Sequence, residues 1–162
     1  MNIVVSLDGV LCGPTGDLVQ KGLVVYRAFK SMGRVVFLTE MTTQRAEGWL
    51  MINNIVDYDD LIDSSVEIDP KQDLRERQLE VVMSRGPVSL YIDTDPERAT
   101  MGLKRGISTL LFAESEYAHF RFRPDVPKSV RPWDELVAER TRQQALIATD
   151  KRAKPAEMGV WE

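Results

Sequence analysis

The chain is expected to fold as a three-layer α/β domain, a mainly parallel sheet of about five strands with helices on both faces. Three observations carry this. Short apolar, often β-branched runs recur along the first 112 residues, longer segments with apolar residues at helical spacing separate them, and Gly, Pro and Asp residues punctuate the junctions. Strands alternating with helical patterns are the sequence mark of βαβ units, whose crossovers place helices over a parallel sheet.

The elements follow in order. Ile3 to Ser6 is a short strand bounded by Asp8-Gly9 and Gly13-Pro14. From Leu18 to Met32 the residues Leu18, Val19, Leu23, Val25, Tyr26, Phe29 and Met32 recur at helical spacing, with Gly33 where a C-terminal cap glycine belongs. Val35 to Leu38 is too short for a helix and reads as a strand; Thr39 ends it, and Thr42, Thr43 and Gln44 open a helix. That helix is expected to bury Ala46, Trp49, Leu50 and Ile52 and to end near Asn53-Asn54. Asp57 to Asp63, containing YDDLID, reads as an acidic loop, and Ser65 to Ile68 as a short third strand. Lys71 to Ser84 is a helix with Leu74, Val81 and Val82 inward, stopped by Arg85-Gly86-Pro87. Val88 to Ile92 is a strand, Pro96 to Arg105 a helix with proline in its first turn, and Ser108 to Phe112 the last strand. Such a sheet, parallel and covered on both faces, is Rossmann-like.

Beyond Phe112 the character changes. Residues 113–131 form a proline-containing loop, Pro132 to about Ala148 a helix with Trp133, Leu136 and Val137 to pack, and Thr149 to Glu162 a polar tail. The expected division is an α/β domain over 1–112, a loop and C-terminal helix over 113–148, and a tail over 149–162 that is either disordered or ordered by a partner.

Composition narrows the function. With 162 residues, 43% hydrophobic and 28% charged, the chain suits one globular domain plus a tail. A net charge of -4 supplies no basic surplus, so nucleic-acid binding is unsupported. The single Cys12 forms no intramolecular disulfide, and with the lone His119 it makes no convincing zinc site; both are read as incidental. No apolar run approaches the ~20 residues that span a bilayer, and Asp8 interrupts the N-terminal apolar run, so no secretion signal is expected. A cytoplasmic protein with no membrane partner is the expectation.

Ligands of open parallel sheets bind beyond the carboxyl ends of the strands. The polar residues there are Ser6 and Asp8 after the first strand, Thr39 after the second, and Asp93 and Asp95 after VSLYI, with Lys71 opening the helix before that strand. Two acid-bearing ends, a hydroxyl and a lysine converging on one space would suit a phosphate. Plain alternatives stand beside each: Asp8 as a turn residue with Gly9, Thr39 as a strand-end or helix-cap hydroxyl, Lys71 as a solvated lysine, Asp93 and Asp95 as acids favoured at a helix N-terminus.

In this order the residues resemble the haloacid dehalogenase (HAD) superfamily of phosphatases and phosphotransferases, over about Met1 to Phe112. SLDGV stands at the family's D-x-D-G-T motif, VVFLT at the second, Lys71 serves as the third, and YIDTDPERATMGLKRGISTLLF resembles the fourth with its trailing helix, glycine and strand. The resemblance implies a HAD-like fold of the small type without a large cap, common in bacteriophage genomes. It implies that Asp8 is the acid/base, that Thr39 and Lys71 hold phosphate, and that Asp8, Asp93 and Asp95 are the remaining acids for Mg²⁺.

The departures weigh against turnover. Ser6 stands where the nucleophilic aspartate belongs, Val10 replaces the motif threonine, and Thr94 replaces the second acid of the usual pair. A phosphoserine is an ordinary ester and does not hydrolyse as an aspartyl phosphate does, and serine needs an activating base. Losing carboxylates weakens an Mg²⁺ cage, so Mg²⁺ is expected to be weakly held or absent. The expectation is a pseudoenzyme with a binding, assembly or structural role; the alternative is a slow Mg²⁺-dependent phosphatase or nucleotidase. HFRFRPDVPKSVRPWDELVAERTRQQ and the end KRAKPAEMGVWE offer Trp133 and Trp161 for a protein partner or for self-association.

Overall fold

The computed structural model describes residues 1–112 and, further on, positions 134, 137, 138, 141, 142 and 145. Trp133, Trp161, His119 and the expected loop and tail lie outside the described residues.

The sheet is five-stranded and wholly parallel, and the fold is Rossmann-like α/β. Its elements are β1 (Asn2–Ser6), a single helical turn α1 (Leu7–Val10), α2 (Gln20–Lys30), β2 (Arg34–Leu38), α3 (Thr43–Ile52), β3 (Asp60–Ile62), α4 (Leu74–Arg85), β4 (Leu90–Asp93), α5 (Pro96–Lys104) and β5 (Thr109–Leu111). The strand order is β3-β2-β1-β4-β5, with β1 at the centre. Progression runs outward from β1 through β2 to β3, then jumps back across β1 to β4. That reversal is a topological switch point, where parallel sheets leave a crevice at their carboxyl ends.

Alternation along the strands divides the core in two. Ile3, Val5, Val35, Phe37 and Ile92 face one layer, with Tyr26 of α2 and Ala46 and Leu50 of α3. Val4, Val36, Leu38 and Tyr91 face the other, with Leu79 and Val82 of α4 and Ile107. Each fully buried Val, Leu or Ile contributes about 1.5–3 kcal/mol by its removal from water, and strands covered on both faces read as continuous apolar runs for this reason.

Three expectations are corrected at the level of elements. The third strand lies within the acidic stretch, at Asp60–Ile62, and Ser65 to Ile68 forms no strand. Its backbone pairs with Val36 to Leu38, while Asp60 at its start makes an ion pair with Arg85. The buried side of α3 is Ala46 and Leu50, whereas Ile52 is 81% exposed. Six residues after Ala46, at 100° per residue, Ile52 has turned well away from the stripe. On α4 the buried residues are Arg75, Gln78, Leu79 and Val82, with Leu74 and Val81 only partly covered. Among the described residues no helix is long and apolar enough to cross a membrane.

Candidate functional site

The chain leaves β1 through a turn that only glycine allows. Asp8 and Gly9 depart from helical geometry inside α1, Gly9 with a φ of 86°. A Cβ at Gly9 would lie 2.3 Å from Thr94 Oγ1. The loops that follow β1 and β4 therefore touch across the switch point. On the far side of α1, the main chain of Leu11 to Val19 folds back on itself, with Val19 N donating to Leu11 O at 2.8 Å and Gly13 N to Asp17 O at 2.8 Å. Trp49 Nε1 holds the tip by donating to Gly16 O at 2.7 Å.

Asp8 is fixed by β2. Its Oδ1 accepts from Thr39 Oγ1 at 3.0 Å and its Oδ2 from Glu40 N at 2.7 Å. Thr39, fully buried, accepts in turn from Met41 N at 3.1 Å. Its carbonyl accepts from Gln78 Nε2 at 2.7 Å, and the same amide reaches Asp63 O at 2.9 Å, tying the ends of β2 and β3 to α4. Burial pushes the Asp63 carboxyl up, but hydrogen bonds from Ser65 and Thr43 outweigh it and leave the group below its ordinary value.

Ser6 is fully buried and its hydroxyl donates to Asp8 O at 2.9 Å. Continuing the β1–β4 register by one residue sets Ser6 beside Asp93. Asp93 is fully buried too: Oδ1 accepts from Thr94 N at 2.7 Å and Asp95 N at 3.0 Å, and Oδ2 from the Tyr91 hydroxyl, two residues back on the same strand face. Burial pushes the Tyr91 phenol far above its ordinary value, with the Asp93 charge adding to the effect and Arg75 opposing it. Asp95 caps α5, its Oδ1 accepting from Glu97 N at 2.8 Å, and its Oδ2 lies 3.8 Å from Arg98 Nε.

The cation of this cluster is Arg75. It is fully buried on the first turn of α4, with Nη2 3.6 Å from Asp8 Oδ2 and Nε 3.8 Å from Asp93 Oδ2. Among the described residues its Nε, Nη1 and Nη2 have no hydrogen-bond partner. Lys71, the lysine expected to hold phosphate, is exposed before the helix begins, where its backbone N–H donates to Asp69 Oδ1 at 3.0 Å. The reason is the cap: Asp73 accepts from Arg75 N at 2.8 Å and Glu76 N at 3.2 Å, so α4 starts at Leu74 and Arg75 is the first cation on its inner face. The D-x-x-E spacing of Asp73 and Glu76 resembles a capping box and was the available signal. Tyr91 had one as well, its i, i+2 spacing to Asp93 on a strand.

Beside Asp8 a cavity of about 370 Å³ opens between the Gly13 to Gly16 loop and the start of α3, lined also by Cys12, Glu40, Met41 and Arg45. Burial, then the nearby Asp8 charge, raises the Cys12 thiol above its ordinary value, which keeps it protonated and unreactive.

Fold and site together define a parallel α/β domain whose switch point carries a buried arginine between a buried Asp93 and a partly exposed Asp8. No protein-family model matches the chain, and no curated protein shows significant similarity to it. Among solved structures, a chain from "Structure of the Pnkp1/Rnl/Hen1 RNA repair complex" is similar at a TM-score of 0.54 and 14% identity, over 71% of this chain and 43% of that one. This chain thus spans less than half of that neighbour, and the likeness is one of fold alone.

Proposed function

We propose that the chain is a pseudoenzyme on a HAD-like scaffold, retained to bind or assemble with a protein partner or a second copy of itself. One observation carries this: the residue at the nucleophile position, Ser6, is fully buried and spends its proton on the Asp8 carbonyl. A serine attacks phosphorus only when a base takes that proton, and the Asp8 carboxylate is engaged with Thr39 and Glu40 instead. The RNA repair of the structural neighbour is not carried over, since the net charge of -4 gives no electrostatic footprint for a nucleic acid.

The rival is a slow Mg²⁺-dependent phosphatase, favoured by the partial exposure of Asp8 at the cavity. Phosphate release from a general phosphomonoester with Mg²⁺ separates the two. Wild type is expected at background, Asp8→Asn equally so, with any gain confined to Ser6→Asp or to Ser6→Asp with Thr94→Asp. Turnover by wild type that Asp8→Asn abolishes would sink the pseudoenzyme. The assembly role is tested by deleting residues 149–162 and measuring oligomer size and partner capture, and it fails if neither changes.

A further inference from the structure

The carboxylates that would coordinate a divalent cation face a guanidinium. Asp8 and Asp93 each lie under 4 Å from the Arg75 head group, which is fully buried. A charge taken out of water is tolerated only where opposite charge stands close, and these two carboxylates are that charge. Mg²⁺ demands oxygen ligands in near-octahedral array and gives up its water reluctantly. The oxygens present do not offer this. Ser6 Oγ is turned to its own backbone, both oxygens of Asp93 accept from Tyr91, Thr94 and Asp95, and Asp95 caps α5. Among the described residues no group of three or more His, Cys, Asp or Glu side chains is placed to hold a metal. With the Arg75 guanidinium drawn up to both carboxylates, this set does not fit Mg²⁺.

We infer that Arg75 is a built-in counter-ion that takes the place of the divalent cation between Asp8 and Asp93 and holds the switch-point loops together without metal. A dication entering beside it would be repelled by the guanidinium and would have to strip Asp93 of its hydrogen bonds. The Asp73 cap fixes the Arg75 backbone in the first turn of α4, and the side chain that leaves it is fully buried against Asp8 and Asp93, unlike a lysine on an exposed loop. The inference is independent of the loss of catalysis. Metal-free turnover would sink the pseudoenzyme and leave it intact, whereas stoichiometric metal binding without turnover would do the reverse.

The test is a titration of the full chain with Mn²⁺, followed by loss of the free-ion EPR signal, and with Mg²⁺, followed by calorimetry and by the thermal midpoint. Wild type is expected to show no site and no shift of midpoint. Arg75→Met, which keeps the aliphatic stem and removes the charge, is expected to gain one Mn²⁺ per chain and a midpoint that rises with Mn²⁺, both lost again when Asp93→Asn is added. The same readings on Arg75→Gln cover the event that the methionine variant does not fold. One tightly held ion per wild-type chain, released by Asp8→Asn or Asp93→Asn, would overturn the inference. So would a folded Arg75 variant that gains nothing, because Arg75 is then not what keeps the metal out.

Discussion

At the scale of residues, the site is set by a few positions with no freedom to vary. Gly9 combines a φ of 86° with a missing Cβ that would meet Thr94 Oγ1 at 2.3 Å and Cγ2 at 2.9 Å. Gly9→Ala is therefore expected to cost about 2 kcal/mol or more, from left-handed strain and the collision together, read as a lower urea midpoint at unchanged slope. Adding Thr94→Ala should recover the collision and leave the strain. Full recovery would show the φ to be relaxed by the chain, and no recovery would show that Thr94 is not the obstacle. Asp8, Thr39 and Asp93 were legible in the sequence because each ends or follows an apolar run, and the parallel sheet gathers such ends at one edge. Arg75 was not. The Asp73–Glu76 spacing marks where α4 starts, but charged side chains are almost never fully buried unless paired, and the two partners of Arg75 are distant in sequence, so its burial is not legible there, whereas the arginine at position 77 pairs with Glu80 near the surface.

At the scale of elements, hydropathy located the long helices and misplaced the short edge strand. β3 has three residues and begins with Asp60, so neither length nor apolar content marks it. It exists because its backbone completes the hydrogen bonding of β2 and because Gln78 bridges their ends. Its leading acid, paired with Arg85, places charge on the edge of the sheet formed by the described residues, a common guard against pairing with another chain. α4 shows how a polar stripe hides from periodicity: Arg75 and Gln78 occupy half of its buried face, and of Leu74, Val81 and Val82, to which apolar residues alone point, only Val82 is buried. The cap corrects the register. Asp73 satisfies two of the free N–H groups of the first turn, and Asp73→Ala is expected to cost about 1 kcal/mol, with Asp73→Asn close to wild type, both by urea denaturation. Because the same cap holds the Arg75 backbone, Asp73→Ala should also weaken the protection of the Asp95 and Thr94 amides, which bond Asp93, from hydrogen exchange. Unchanged protection alongside the lost stability would mean that Arg75 is held by packing alone.

At the scale of the whole molecule, the alternation of strand and helix was readable but the order of strands was not, since pairing is decided between segments far apart in sequence. The order matters because it places one buried tyrosine in each layer. Tyr26 packs on the α2–α3 side against Phe37, its hydroxyl donating to Asp57 Oδ1 at 2.5 Å, and Tyr91 lies on the α4 side beside Asp93. Burial, followed by these carboxylates, raises both phenols far above the ordinary value. The sign follows from linkage: the folded state keeps these protons while the unfolded chain loses them near pH 10, so their contribution is complete below about pH 10 and declines above it. Each tyrosine should remove about 1.4 kcal/mol of stability per pH unit there, and neither layer can shed its tyrosine into water while the sheet persists. Urea unfolding across the alkaline range is expected to show a steep fall in wild type, a shallower one in Tyr26→Phe and in Tyr91→Phe, and the shallowest in the double variant. The Phe variants begin lower at neutral pH, because Asp57 and Asp93 each lose a donor. Identical alkaline slopes in all four proteins would mean that the phenols ionise within the fold, and that the two layers are open to water at the tyrosines.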